Sequence, residues 1–157
     1  MEALRTLATE LGFRDPVTVG ASGNLLYGSR ATAKADEAKL ARALVKRMGK
    51  GVVVVRSLAE MDGLTKNDAF AGADDKVPDK WRFVALLAAP SSKPLPPVPA
   101  DGAIRILGRT SREVFYTMSA PSSAAIGMSA LLERALGTPV TVRNWNVVRD
   151  LAKRLSG

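Results

Sequence analysis

Thr138–Gly157 reads TPVTVRNWNVVRDLAKRLSG. Val140-Thr141-Val142 favours an extended strand, because β-branched side chains pack well on a pleated surface. From Trp145 the period changes. Trp145, Val148, Leu151, Ala152 and Leu155 recur three or four residues apart, which predicts an amphipathic helix with the indole in the core. Asn144 stands at the junction as a favoured N-cap, able to accept from the amide of Asn146 or Val147. The same phrase occurs earlier. Gly49 ends a helix, VVVVRS (Val52–Ser57) reads as a buried strand, and Ser57 with Glu60 has capping-box spacing for a helix that starts at once.

Outward from these two joints the halves echo each other. In each, a strand ending near a tyrosine precedes a helix, a glycine, a strand ending in arginine and a further helix. Tyr27 matches Tyr116, 89 positions on; Gly49 matches Gly137, 88 on; Arg56 matches Arg143, 87 on. Helices are predicted over Glu2–Leu11, Ala31–Met48, Ser122–Leu136 and Trp145–Leu155. Strands are predicted for VTVGA and LLYGS around the turn Ser22-Gly23-Asn24, for RFVALLAA as a strand buried on both faces, and for AIRILG and EVFYTM around Arg109–Arg112. Five prolines between Pro90 and Pro99 make that stretch an extended loop. The expected fold is α+β, two tandem ferredoxin-like (split βαβ) halves. The second begins with RFVALLAA, whereas the first begins with a helix, so it lacks its N-terminal strand. The expected organisation is residues 1–61 as the first half, 62–80 as an acidic connector and 81–157 as the second half.

Composition narrows the chemistry. With neither Cys nor His among 157 residues, disulfides, thiolate nucleophiles, imidazole bases and Cys- or His-ligated metals are excluded. No apolar run approaches the length of a membrane span, and the start Met1–Arg5 carries an acid where a signal peptide has bases, so a cytoplasmic location is expected. The net charge is +8, from 23 basic and 15 acidic side chains. Seven bases fall between Arg30 and Lys50, and acids dominate Glu60–Lys80. Such a balance attracts polyanions, with nucleic acid the commonest.

The pieces ELGF (Glu10–Phe13), ASGNLLY (Ala21–Tyr27), VVVRS (Val53–Ser57), FVALL (Phe83–Leu87), ALLERALG (Ala130–Gly137) and RNWNVV (Arg143–Val148) run in the order of a bacterial family that they resemble, domain of unknown function 1697. Three departures stand out. The family's N-terminal strand is absent, which suggests a downstream start or a truncated member. AIGMS (Ala125–Ser129) replaces a basic residue, and Val147 stands where the family pattern has Thr. The resemblance implies an α+β fold of two related halves. It implies no established activity, so no catalytic residue is carried over.

Candidate sites each have a structural and a functional reading. Arg143 and Asn146 either complete the strand-to-helix joint or form an anion site at a helix N-terminus, with Arg149 and Lys153 extending the positive face. Arg56 and Ser57 offer a weaker copy. Lys39, Arg42 and Lys46 share a face of the second helix. Ser22-Gly23-Asn24 is a hairpin turn or an anion nest. Asp74 and Asp75 with Asp68 and Asp79 fit no calcium-loop spacing and read as a solvated acidic loop. Phe115 and Tyr116 have the chemistry to stack on bases, without the basic context of an RNA-binding strand. No catalytic, cofactor or metal residues are assigned. The leading expectation is a non-enzymatic binder of an anionic partner. The alternatives are a protein-interaction module, including a homodimer through an exposed sheet edge, and an enzyme on a phosphorylated or carboxylated metabolite.

Overall fold

The computed structural model describes the chain except residues 50, 68, 72–76, 79, 80, 101 and 120–122, and of residues 123–126 it describes the backbone only. Its elements, in chain order, are α1 (Glu2–Glu10), β1 (Arg14–Val19), β2 (Asn24–Gly28), α2 (Ala33–Met48), α3 (Leu58–Lys66), β3 (Arg82–Leu87), β4 (Ile104–Arg109), β5 (Glu113–Met118), α4 (Ser123–Leu136), β6 (Val140–Asn144) and α5 (Trp145–Ser156). Asp68, Asp74, Asp75 and Asp79 lie outside the described residues.

The second half is built on an antiparallel sheet in the order β4-β5-β3-β6. Strand side chains alternate between faces, and both faces of this sheet are covered. Ala85, Leu87, Val114, Tyr116, Met118 and Val140 pack against Met128, Leu132 and Leu136 of α4. Val84, Leu86 and Phe115 pack against Met61 and Leu64 of α3, Phe70, and Trp145, Val148 and Ala152 of α5. Trp145 sits in the core, with ring centroids 5.2 Å from Phe70 and 6.2 Å from Phe115. α3 runs on to Lys66, so the connector boundary expected at 61–62 falls inside a helix whose apolar face belongs to the second sheet's core.

The first half is smaller. β1 and β2 form a two-stranded hairpin over Gly23, whose φ of 75° suits the turn. Ala8 of α1, Phe13 and Leu40 of α2 make its core, with Leu25, Tyr27, Val53 and Val55 at the margin. β1 is irregular near its start: its register shifts between Arg14 and Val17, and Asp15 has φ 46°.

One expected strand is corrected. Val52–Arg56 forms no ladder with any described strand. The reason is positional. Among the described residues no strand pairs with the run, and β propensity without a partner satisfies no backbone group. The Val55 N–H is met instead by a side chain, Glu37 Oε2 at 2.7 Å.

Candidate functional site: a basic concavity and two reciprocal arginines

The hairpin register sets Arg14 opposite Gly28. An added Cβ at Gly28 would come within 3.3 Å of the Arg14 guanidinium, so the absence of a side chain there lets Arg14 lie across β2. The chain then turns through Ser29–Ala31 to Thr32, which caps α2 by accepting from the Ala35 N–H at 3.3 Å. One helical turn further, Lys39 donates to the Leu11 carbonyl and lies 5.3 Å from the centre of the Phe13 ring. The outcome is a concavity of about 490 Å³ lined by Arg14, Arg30, Lys39 and Arg42, with Phe13 and Asp36 among its walls. None of these four cations has an ion-pair partner among the described residues. Asp36 is buried beside them. Burial first, and then the Asp36 carboxylate, push the neighbouring Tyr27 phenol well above its ordinary range.

Of the residues expected to meet an anion, Lys39 and Arg42 come together here. Lys46, Arg143, Asn146, Arg149 and Lys153 do not line this concavity. Arg14 was missed. It lies far from the basic run in sequence, and only the hairpin register, with glycine opposite, signals that it joins Arg30.

Of the two readings of Arg143, its hydrogen bonds are those of a joint. Its Nε donates to Asn24 Oδ1 at 2.7 Å, its Nη1 to Thr141 Oγ1 and the Val142 carbonyl, and its Nη2 to the Ser22 carbonyl at 2.8 Å. Desolvation holds its pKa below the usual arginine value. Arg56, its echo, is tied the other way. It bonds Glu113 at 3.0 Å and the carbonyls of Leu87 and Arg112 at 3.1 Å, with side chains 5% (Arg56) and 13% (Glu113) exposed. Burial lowers the Arg56 pKa, and Glu113 opposes that shift. Each arginine thus leaves its own half and grips the first residue of the other half's hairpin strand, Asn24 of β2 or Glu113 of β5. Arg112 adds contacts to Glu60 at 2.9 Å and Glu37 at 3.8 Å across the same seam.

The remaining expectations resolve as follows. Asn144 is the N-cap residue of α5 but makes no side-chain cap bond. Asn146 Oδ1 accepts from the Val147 N–H at 2.9 Å. Arg149 and Lys153 are on the exposed side of α5, beside an Arg154–Asp150 pair. Phe115 and Tyr116 are buried in opposite faces of the second sheet, which removes them as stacking platforms. Among the described residues there is no cluster of three or more potential metal-ligating side chains, and no helix is long and apolar enough to cross a membrane.

A profile of the family described as "Protein of unknown function (DUF1697)" matches residues 1–105 of the 157. The chain belongs to this family. The matched part of this DUF1697 member holds the basic concavity, Arg56 and β3, and stops before Arg143. The conserved bacterial protein SP0830 from Streptococcus pneumoniae is similar in fold, with a TM-score of 0.63 at 16% identity, covering 99% of this chain and 88% of that one. No curated protein matches.

Proposed function

We propose that this protein is a non-enzymatic binder of an anionic partner, with nucleic acid as the class, and that the contact surface is the concavity of Arg14, Arg30, Lys39 and Arg42. The single observation behind this reading is four cations converging on one recess with no ion-pair partner among the described residues. Guanidinium groups suit phosphate because they donate in a planar fork. Lys46 continues the positive face along α2, and α5 with Arg149 and Lys153 is a second, separate positive face. Cytoplasmic residence belongs to the same proposal.

The proposal includes a duplicated, ferredoxin-like plan for the two halves. Its supports are the repeated order hairpin, helix, extended run, helix, and the reciprocal bonds of Arg56 and Arg143. An interaction module is the second reading, favoured by a largely apolar cavity of about 590 Å³ lined by Leu25, Leu26, Leu40, Leu44, Val148 and Leu155.

The test is a salt titration of binding to a labelled oligonucleotide. Affinity should fall linearly in log–log form as salt rises, with a slope of roughly −0.7 to −0.9 per phosphate neutralised. Replacing Arg14, Arg30 and Arg42 by Ala together should flatten the slope and weaken binding at low salt by ~10-fold or more. Binding indifferent to salt, or none at low salt, overturns the proposal.

A further inference from the structure

The recess of Arg14, Arg30, Lys39 and Arg42 also holds one charge of the opposite sign. Asp36 of α2 lines it, is 4% exposed, and forms no ion pair with any of the four cations around it. Tyr27 of β2 places its phenol beside the carboxylate. No N–H among the described residues donates to the Asp36 side chain. A carboxylate has about four lone-pair sites, and one phenol fills at most one of them. The others are left for donors that arrive in the recess.

For a plain anion this carboxylate is a handicap, because like charges repel at close range. A site built for phosphate alone would bind better without it. A repulsive group gives specificity as an attractive one does. The ligand that suits the recess therefore carries a negative group at one end and a pair of hydrogen-bond donors at the other. Given the nucleic-acid reading above, on which this step rests, the choice falls among the parts of a nucleotide. On their Watson–Crick edges adenine, cytosine and uracil each set an acceptor beside the donor, and that acceptor would face the carboxylate. Guanine presents two adjacent donors, N1–H and the N2 amino group, in a fork that two carboxylate oxygens accept. Size agrees. A volume of about 490 Å³ lies within the roughly 300–1,000 Å³ of pockets that hold one small molecule, so the recess takes a nucleotide and not a duplex.

We propose that the recess takes one unpaired guanine nucleotide of a single strand, with its phosphate on the guanidinium groups of Arg14, Arg30 and Arg42 and its Watson–Crick edge on Asp36. The division of labour follows from what each side chain already does. Lys39 is committed to the Leu11 carbonyl and the Phe13 ring, so it shapes the wall. The three arginines have no ion-pair partner among the described residues, and their planar forks match phosphate oxygens. Phosphate contacts position the strand, and the carboxylate reads the base. A paired guanine hides its Watson–Crick edge, so loops and strand ends are the targets and stems are not.

The experiment measures fluorescence anisotropy of labelled uridine tracts at low salt with the full chain. Each tract carries one central guanosine, adenosine, inosine or deoxyguanosine. Guanosine should bind ~10-fold or more tighter than adenosine, as a bidentate pair discriminates between bases. Inosine keeps N1–H but lacks the N2 amino group and should fall between them. Deoxyguanosine should match guanosine. Asp36→Asn replaces one acceptor oxygen by a donor. It should erase the guanine preference and leave binding of the plain uridine tract equal or tighter, since a repelling charge is gone. Salt-dependent binding that treats guanosine and adenosine alike overturns this inference and leaves the nucleic-acid reading standing. So does a preference that follows the ribose 2′-hydroxyl, or one that survives Asp36→Asn. Absence of any binding at low salt overturns both.

Discussion

Two apolar runs of similar composition meet opposite fates in this molecule. Phe83–Leu87 lies between β5 and β6, and Val84, Ala85 and Leu87 are fully buried. Val52–Val55 is the more β-branched, yet Val52 is half exposed and the other three are only partly covered. What separates them is hydrogen bonding. Burying a strand's side chains also buries its amides and carbonyls, and an unpaired one costs roughly 1–3 kcal/mol. β3 has a ladder on each side to meet that cost. The valine run has Glu37 for the Val55 amide and Arg56 Nη1 for the Val55 carbonyl, and no ladder on either side among the described residues.

The sharpest way to break the comparison is at the seam, where the two echoing arginines differ in the charge of their partners. Arg56→Met strands the mostly buried Glu113 carboxylate and should cost about 3–5 kcal/mol in urea unfolding, as removal of one partner from a buried pair does. Arg143→Met removes bonds to an amide, a hydroxyl and carbonyls only, and should cost about 1–3 kcal/mol. Equal losses would mean that Glu113 is better solvated than its geometry indicates.

A core truncation in each run comes next. Leu87→Ala should cost about 2–5 kcal/mol, since Leu87 is enclosed between β5, β6 and α4. Val53→Ala removes a partly wet side chain and should cost less than about 1 kcal/mol. If the two penalties were alike in thermal or urea melts, Val53 would already have a covering strand in solution.

The smallest effect is a pH dependence at the seam. Burial pushes the Glu60 carboxyl up. The Ser57 backbone and side-chain hydrogen bonds and the Arg112 charge outweigh it, so the net pKa lies below the usual 4.5. A depressed folded-state pKa means that the unfolded chain binds the proton more tightly. The stabilisation is therefore fully present above about pH 4.5 and lost as the pH falls through the folded value. The Glu60 side chain is 38% exposed, so solvent screening keeps the contribution under about 1 kcal/mol. Glu60→Gln should remove that part of the acid dependence in unfolding curves taken from pH 3 to 6.

Much of the local structure was legible because it depends on near neighbours. Ser57 and Glu60 form the reciprocal capping box that their spacing announced. Gly49 ends α2 in the left-handed region, and α5 buries Trp145, Val148 and Ala152 as its periodicity requires. The candidate site was legible only in part. Lys39 and Arg42 sit on one helix face by period alone, but Arg14 reaches them through the hairpin register. Arg143 stayed open between joint and anion site because a sequence shows the helix N-terminus beside it and not Asn24 or Ser22, more than a hundred residues away, which accept from it. Phe115 and Tyr116 looked available for stacking because alternation marks two faces of a strand without showing that helices cover both.

The sequence by itself determined where helices start and stop, which strand is apolar on both faces, the excess of positive charge, and the exclusion of thiol and imidazole chemistry. These follow from side-chain type and spacing over a few residues. The tertiary structure decided which arginines are spent holding the halves together and which are left to line a recess. It also decided that four valines in a row do not make a strand. A ladder is a property of two segments, and a guanidinium's partners are chosen by what the fold brings within 3 Å of it.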